Sequence, residues 1–195
     1  MHKHLYTTAL KEDNPALYKT QFQTPPDVAK YMCEMIPAGV RTVLEPTPGV
    51  GNILRELKAR DYDVTAPSDF FLLKKQRYDC IVMNPPFSSK FCFIDNAPEE
   101  VRHSGMKMGY WFLRELLHWS DNVIALMPWF TISDSDVRLR LLMEYGMKSV
   151  TALPRKTFSF ARIQTCVFEL QRGYRGDTAF KMLPYKDTET LKLDL

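Results

Sequence analysis

Apolar positions along this chain follow two rhythms. Uninterrupted runs of three to six residues, such as Ile81-Val82-Met83 and Ile124-Ala125-Leu126-Met127, read as strands buried on both faces. Spaced sets such as Val28, Tyr31, Met32, Met35 and Ile36 put an apolar stripe on one side of a helix. The first rhythm predicts strands over 41–45, 62–66, 81–84, 122–127, 149–153 and 165–170. The second predicts helices from Thr24, a cap residue before Pro25 and Pro26, to about Pro37-Ala38-Gly39, then over 53–60, 106–119 and 133–145, the last stopping at Gly146. Strands alternating with helices imply an α/β fold with a doubly wound, mostly parallel sheet and its functional loops along one edge.

Between these elements the pattern fades. Residues 1–20 are polar and irregular and read as an N-terminal tail. Segments 88–104 and 154–162 read as long loops, and from Gly173 to residue 195 the chain is polar without a convincing period, a C-terminal extension. One domain over 21–172 remains, with no internal repeat.

The sharpest boundary lies at Tyr78-Asp79-Cys80-Ile81-Val82-Met83-Asn84-Pro85-Pro86-Phe87. Two prolines cannot donate to a sheet ladder, so this strand ends at Asn84. Asn84 and Phe87 then stand at a strand's carboxyl end, where open α/β sheets bind their ligands. An Asn carbonyl and a proline-fixed backbone carbonyl can both accept from one exocyclic NH₂, while an aromatic ring stacks on the base that bears it. Pro-Pro as simple turn punctuation is the plainer alternative.

Composition narrows the class. With 195 residues, 45% hydrophobic and 25% charged, the chain is an ordinary globular domain with room for a substantial core. No apolar run approaches a membrane span, and Met1-His2-Lys3-His4 lacks the apolar core of a signal peptide. Cys33, Cys80, Cys92 and Cys166 are scattered, without Cys-x-x-Cys or a His at ligand spacing, which argues for buried reduced thiols, a cytoplasmic setting and no metal. A net charge of +3 means that a nucleic-acid partner would be held by a local patch. Candidate patches are Lys74, Lys75 and Arg77, and Arg155, Lys156 and Arg162 with Phe158 and Phe160. Trp111, Trp119 and Trp129 read as core or subunit-contact residues.

The loop Glu45-Pro46-Thr47-Pro48-Gly49-Val50-Gly51-Asn52 follows a strand and opens a helix, half of a nucleotide-binding unit. It has no Gly-Lys-Ser/Thr, so it is not a triphosphate loop. Gln23-Thr24-Pro25 before a helix, Leu44 through Asn52 after a strand, and Asp79…Asn84-Pro85-Pro86-Phe87 later, in that order, resemble the S-adenosylmethionine-dependent adenine-N6 DNA methyltransferases. Ile124-Ala125-Leu126-Met127-Pro128 and Leu153-Pro154-Arg155-Lys156-Thr157-Phe158 look like that family's later segments, so the resemblance extends over residues 21–171.

The resemblance implies a Rossmann-like class I methyltransferase fold, S-adenosylmethionine as cofactor and a flipped adenine in DNA as substrate. By that likeness Thr24 and Pro25 lie near the cofactor's methionine part. Glu45 faces its ammonium, with Pro46 beside it, and Gly49 and Gly51 let the backbone pass close. Asp69 and Phe70 resemble the family's acidic-aromatic pair beside the cofactor's adenine. Asp69 as a cap following Ser68 is the structural alternative. Asn84 and the carbonyl of Pro85 hold the target amino group, Phe87 stacks on the base, and Pro86, Arg155, Lys156 and Phe158 line the substrate side.

Two departures stand out. Thr65-Ala66-Pro67-Ser68 offers no acidic residue for the cofactor ribose, and the interval before the lip lacks a full strand and helix, so the sheet is expected to be shortened in its second and third strand region. No separate target-recognition domain is visible, which leaves specificity weak or dependent on a partner subunit or homo-oligomer. The same architecture also serves methyltransferases acting on RNA bases or on a protein glutamine, and a catalytically silent nucleic-acid-binding subunit is a further reading.

Overall fold

The structure, a computed structural model, describes residues 22–87, 96–102, 107–158 and 163–183. The tail 1–20, most of the 88–104 loop, Cys92, Phe160, Arg162 and the residues beyond 183 lie outside the described residues.

Among the described residues seven strands form one sheet: β1 Thr42–Leu44, β2 Asp63–Thr65, β3 Cys80–Met83, β4 Asn122–Pro128, β5 Met147–Ala152, β6 Thr165–Gln171 and β7 Ala179–Met182. Their spatial order is β2-β1-β3-β4-β6-β5-β7. Strand β6 runs antiparallel to both β4 and β5, and every other pairing is parallel. The chain therefore has the Rossmann-like α/β fold of class I methyltransferases. The anticipated shortening is present: only a 3₁₀ turn, Phe70–Leu72, separates β2 from β3, and no strand flanks β2 on its outer side among the described residues.

Helices cover both faces, which is why the central strands are apolar without alternation. Along β3, Ile81 and Met83 point to one face while Cys80 and Val82 point to the other, as the pleat requires. The first face is packed by α4 (Met108–Leu116) through Met108, Phe112, Leu113 and Leu116, and by Leu142 of α6 (Asp136–Tyr145). On the second face lie Val28, Ala29, Met32 and Cys33 of α1 (Pro26–Glu34) and Ile53 and Leu57 of α2 (Asn52–Lys58). Short helices α3 (Glu99–Arg102) and α5 (Phe130–Ser133) are also present among the described residues. Cys33, Cys80 and Cys166 are free, buried thiols, and burial pushes Cys33 up to about 12.

Several element boundaries differ from the sequence reading. Helix α1 is capped by Pro25, with no side-chain cap bond, so Thr24 is free to bond elsewhere. The expected helix over 133–145 begins at Asp136, where the Ser135 hydroxyl accepts from Arg138 N at 3.3 Å. It ends at Gly146, where a side chain would collide with Gln171 O at 2.1 Å. Strand β7 was not foreseen at all. All four of its residues are exposed, so no apolar face marked it.

At the amino end of the sheet Asp79 fastens β1 to β3. Its carboxylate accepts from the backbone N–H groups of Arg41 (3.0 Å) and Thr42 (2.8 Å), and its own N–H donates to the Thr42 hydroxyl at 3.0 Å. Those backbone donors, Thr42 first, hold its carboxyl below the usual carboxylate range. The first letter of the lip motif is thus a structural clamp.

Candidate active site at the carboxyl ends of β1 and β3

Three segments distant in sequence meet where β1 and β3 end: the strap at residues 22–24, the glycine loop at 45–52 and the lip at 84–87. Asn84 Nδ2 donates to Phe22 O (2.9 Å) and to Thr24 Oγ1 (3.1 Å). Asn52 Nδ2 donates to Thr24 O at 2.7 Å, and Val50 N donates to Gln23 Oε1 at 2.9 Å. The Thr47 hydroxyl completes the circuit by donating to Asn84 O at 3.2 Å. With both amide protons committed to acceptors, Asn84 presents Oδ1, and no partner bonds that oxygen among the described residues.

The glycine loop needs its glycines for different reasons. Gly51, at φ +81°, is the left-handed residue that turns the loop into α2. Gly49, at φ +53°, leaves the space that Gln23 fills: a Cβ there would lie 2.2 Å from Gln23 Oε1. The likeness made Gly49 a place for close cofactor approach, and the structure gives it an internal duty as well. Arg55, one turn into α2, donates to Val50 O and bonds Asn52 Oδ1, bracing the loop from behind.

Glu45 lies at the floor of this loop and is only 2% exposed. Its carboxyl accepts from the backbone of Leu54 in the first turn of α2, yet Oε2 has no hydrogen-bond partner among the described residues. Burial pushes the group up to about 8, against the opposing pull of that backbone bond. An orphaned buried carboxylate oxygen suits a cation, such as the ammonium of a methionine moiety, which would restore the charge that burial suppresses. The residues present therefore fit S-adenosylmethionine at this point. Pro46 is buried beside Glu45, and Pro25 sits at the head of α1.

Phe87 is half-buried and bridges the two cores, resting on Gly109 of α4. Pro85 is buried and Pro86 half-buried. The other predicted site residues have these surroundings. Phe70 belongs to the core at 7% exposure, ringed by Phe71, Trp111, Phe112 and Trp119 at centroid distances of 5.1–6.5 Å. Asp69 caps the 3₁₀ turn, Oδ1 accepting from Phe71 N at 2.9 Å and Oδ2 from Asn96 Nδ2 at 2.7 Å. Phe158 is also buried, at 5%, and tilts against Phe22 of the strap at 6.5 Å. Arg155 and Lys156, on the preceding 3₁₀ turn, are exposed.

Two members of the first basic patch are engaged in exposed ion pairs. Lys75 pairs with Glu115 at 2.9 Å and Arg77 with Asp121 at 2.7 Å. A cavity of about 390 Å³ beside Arg77, lined also by Gly39, Asp79 and Asn122, opens at the amino end of the sheet. Its charged groups are paired with each other and with backbone: Arg77 with Asp121, and Asp79 with the N–H groups of Arg41 and Thr42. No group of three or more His, Cys, Asp or Glu side chains gathers as a metal site among the described residues. No helix among them is long and apolar enough to cross a membrane.

Sequence reasoning named Gln23, Thr47 and Asn52 only as members of their motifs. Their bonds span up to 37 residues of chain, and spacing along the sequence gives no sign of such contacts.

The seven-stranded sheet with helices on both faces is a Rossmann-like α/β fold. No protein-family model matches the sequence, and no curated protein sequence does. Within that architecture, similar structures include the type I restriction-modification methyltransferase subunit of Streptococcus thermophilus, at TM-score 0.62 and 18% identity, covering 83% of this chain and 47% of that one. A modification subunit assigned to a type I restriction enzyme of Vibrio vulnificus aligns at TM-score 0.59 and 20% identity, over 85% and 48% of the two chains. A protein of Listeria monocytogenes assigned as a class I S-adenosylmethionine-dependent methyltransferase aligns at 0.61 and 14%, over 89% and 68%. The chain spans about half the length of the first two.

Proposed function

We propose that this chain binds S-adenosylmethionine and methylates the exocyclic N6 amino group of adenine in DNA. The observation that carries the reading is Asn84: its amide is pinned through Nδ2, so Oδ1 faces outward as an acceptor beside the loop that holds Glu45, whose Oε2 has no partner among the described residues. S-adenosylmethionine, when bound, supplies an activated methyl group. Glu45 would hold its ammonium, with Thr24, Pro25, Pro46, Gly49 and Gly51 around it.

Asn84 Oδ1 and the carbonyl of Pro85 accept from the two N–H bonds of the target amino group. That draws the nitrogen lone pair out of conjugation with the ring and aims it, which is positioning and polarisation rather than base catalysis. Phe87 offers a ring to the base taken out of its stack, a step that costs a few kcal/mol. Phe158, being buried, supports the strap, while Arg155 and Lys156 beside it are exposed cations suited to phosphate oxygens. Asp69 and Phe70, besides capping the 3₁₀ turn and packing in the core, would lie beside the cofactor's adenine.

Sequence recognition is assigned in this proposal to a partner subunit or to a second copy, in keeping with two similar structures that are named as subunits of restriction-modification enzymes. The test is tritiated-methyl transfer to duplex DNA, single-stranded DNA, RNA and protein in parallel, followed by identification of the modified group. N6-methyladenine in DNA is the expected product. Label confined to RNA or to a glutamine amide would reassign the substrate, and label in none of them would remove the activity.

A further inference from the structure

We infer that Thr24 is a positioning residue: its hydroxyl, with the Phe22 carbonyl, fixes which end of the Asn84 amide faces the substrate. This rests on the proposed methyl transfer for its consequence, though not for its geometry. A primary amide can sit either way round, and only its neighbours decide which. Phe22 O can accept but never donate, so at 2.9 Å it admits Nδ2 and repels Oδ1. Thr24 Oγ1, at 3.1 Å, takes the second proton. Thr24 is 5% exposed, so bulk water cannot replace its oxygen if that oxygen is removed.

The hydroxyl is itself held in place. Asn52, from the glycine loop, donates to Thr24 O at 2.7 Å, and Gln23 accepts from Val50 of the same loop at 2.9 Å. The strap therefore links the loop beside Glu45 to the acceptor at the lip. A small displacement of the strap turns Asn84 without breaking any part of the sheet, and misplacement by about 1 Å can cost on the order of 100-fold in rate.

Thr24→Val is nearly isosteric and removes only the oxygen, whereas Thr24→Ser retains it. The Asn84 side-chain amide resonances of the full chain, identified by their absence in Asn84→Ala, report the hydrogen bonds directly. In Thr24→Val, amide-proton exchange at Nδ2 is expected to rise about 10-fold and kcat, at saturating S-adenosylmethionine, to fall about 10- to 100-fold. Thr24→Ser should restore both. Asn52→Ala, which loosens the strap and leaves the hydroxyl, should move both readouts the same way by a smaller factor. Unchanged Asn84 exchange in Thr24→Val, or an unchanged kcat with altered exchange, overturns the assignment. So does an equal kcat loss in Thr24→Ser. A wild-type chain inactive on every acceptor would defeat the proposed function instead, and the amide exchange, which needs no substrate, would still decide whether Thr24 fixes Asn84.

Discussion

Gly109 and Phe87 are packed so closely that a methyl group on Gly109 would lie 3.0 Å from Phe87 Cδ1 and 3.3 Å from Phe87 Cα. The lip aromatic owes its position to the missing side chain on α4. Gly109→Leu is expected to destabilise the fold by about 1–3 kcal/mol through overpacking and to lower methyl transfer by displacing Phe87. Urea denaturation with steady-state kinetics checks this, and native activity in a folded variant would separate Phe87 from the chemistry.

Asn84→Ala removes the presented acceptor while leaving Glu45 and the glycine loop in place. A loss of about 10²–10³ in kcat is expected, with cofactor affinity largely retained. Calorimetry beside single-turnover assays distinguishes the two effects.

Glu45 gives a pH signature. Its folded value, about 8, lies above its ordinary 4.5, so the folded chain holds a proton there that the unfolded chain releases. Stability from this group is fully present below pH 4.5 and is lost as pH rises towards 8. A bound cation reverses the preference, so S-adenosylmethionine should bind more tightly as pH rises from 6 to about 8, releasing a proton. Isothermal titration in buffers of different ionisation enthalpy measures that proton, and Glu45→Gln should abolish both dependences.

Asp79→Ala should lower stability by about 0.5–1.5 kcal/mol, because the exposed backbone N–H groups of Arg41 and Thr42, at the start of β1, exchange their carboxylate acceptor for water. Since the Asp79 carboxyl is held below its usual range, its contribution is present at neutral pH and fades as pH falls through the folded value. Thermal melts at pH 7 and at low pH test it: the gap between wild type and variant should narrow in acid.

The sheet was legible wherever burial left a mark. Strands β3 and β4 are buried almost throughout, and the prolines after Asn84 end one of them visibly. Strand β7 is exposed along its length, with Phe180 and Met182 open and Trp129 edge-on to Phe180 at 5.8 Å, so it is recognised only by pairing with β5. At the site, the motifs located Glu45, Gly51 and Asn84, but an aromatic residue looks alike in sequence whether its ring meets a cleft or a core. Phe70 and Phe158 are core rings for that reason. Lys75 and Arg77 read as a basic patch because their acidic partners lie about 40 residues away in sequence.

The strap at residues 22–24 makes the site a matter of docking rather than of folding alone. It is fastened by side-chain hydrogen bonds to loops, whereas the sheet beneath it is fastened by a continuous apolar core, and contacts of the first kind open at lower cost. Warming should therefore undo the chemistry before it melts the protein. Over some interval of temperature the chain would keep its circular dichroism and lose its turnover, then regain that turnover on cooling without having unfolded, so the strap acts as a reversible thermal fuse between an intact scaffold and a working site.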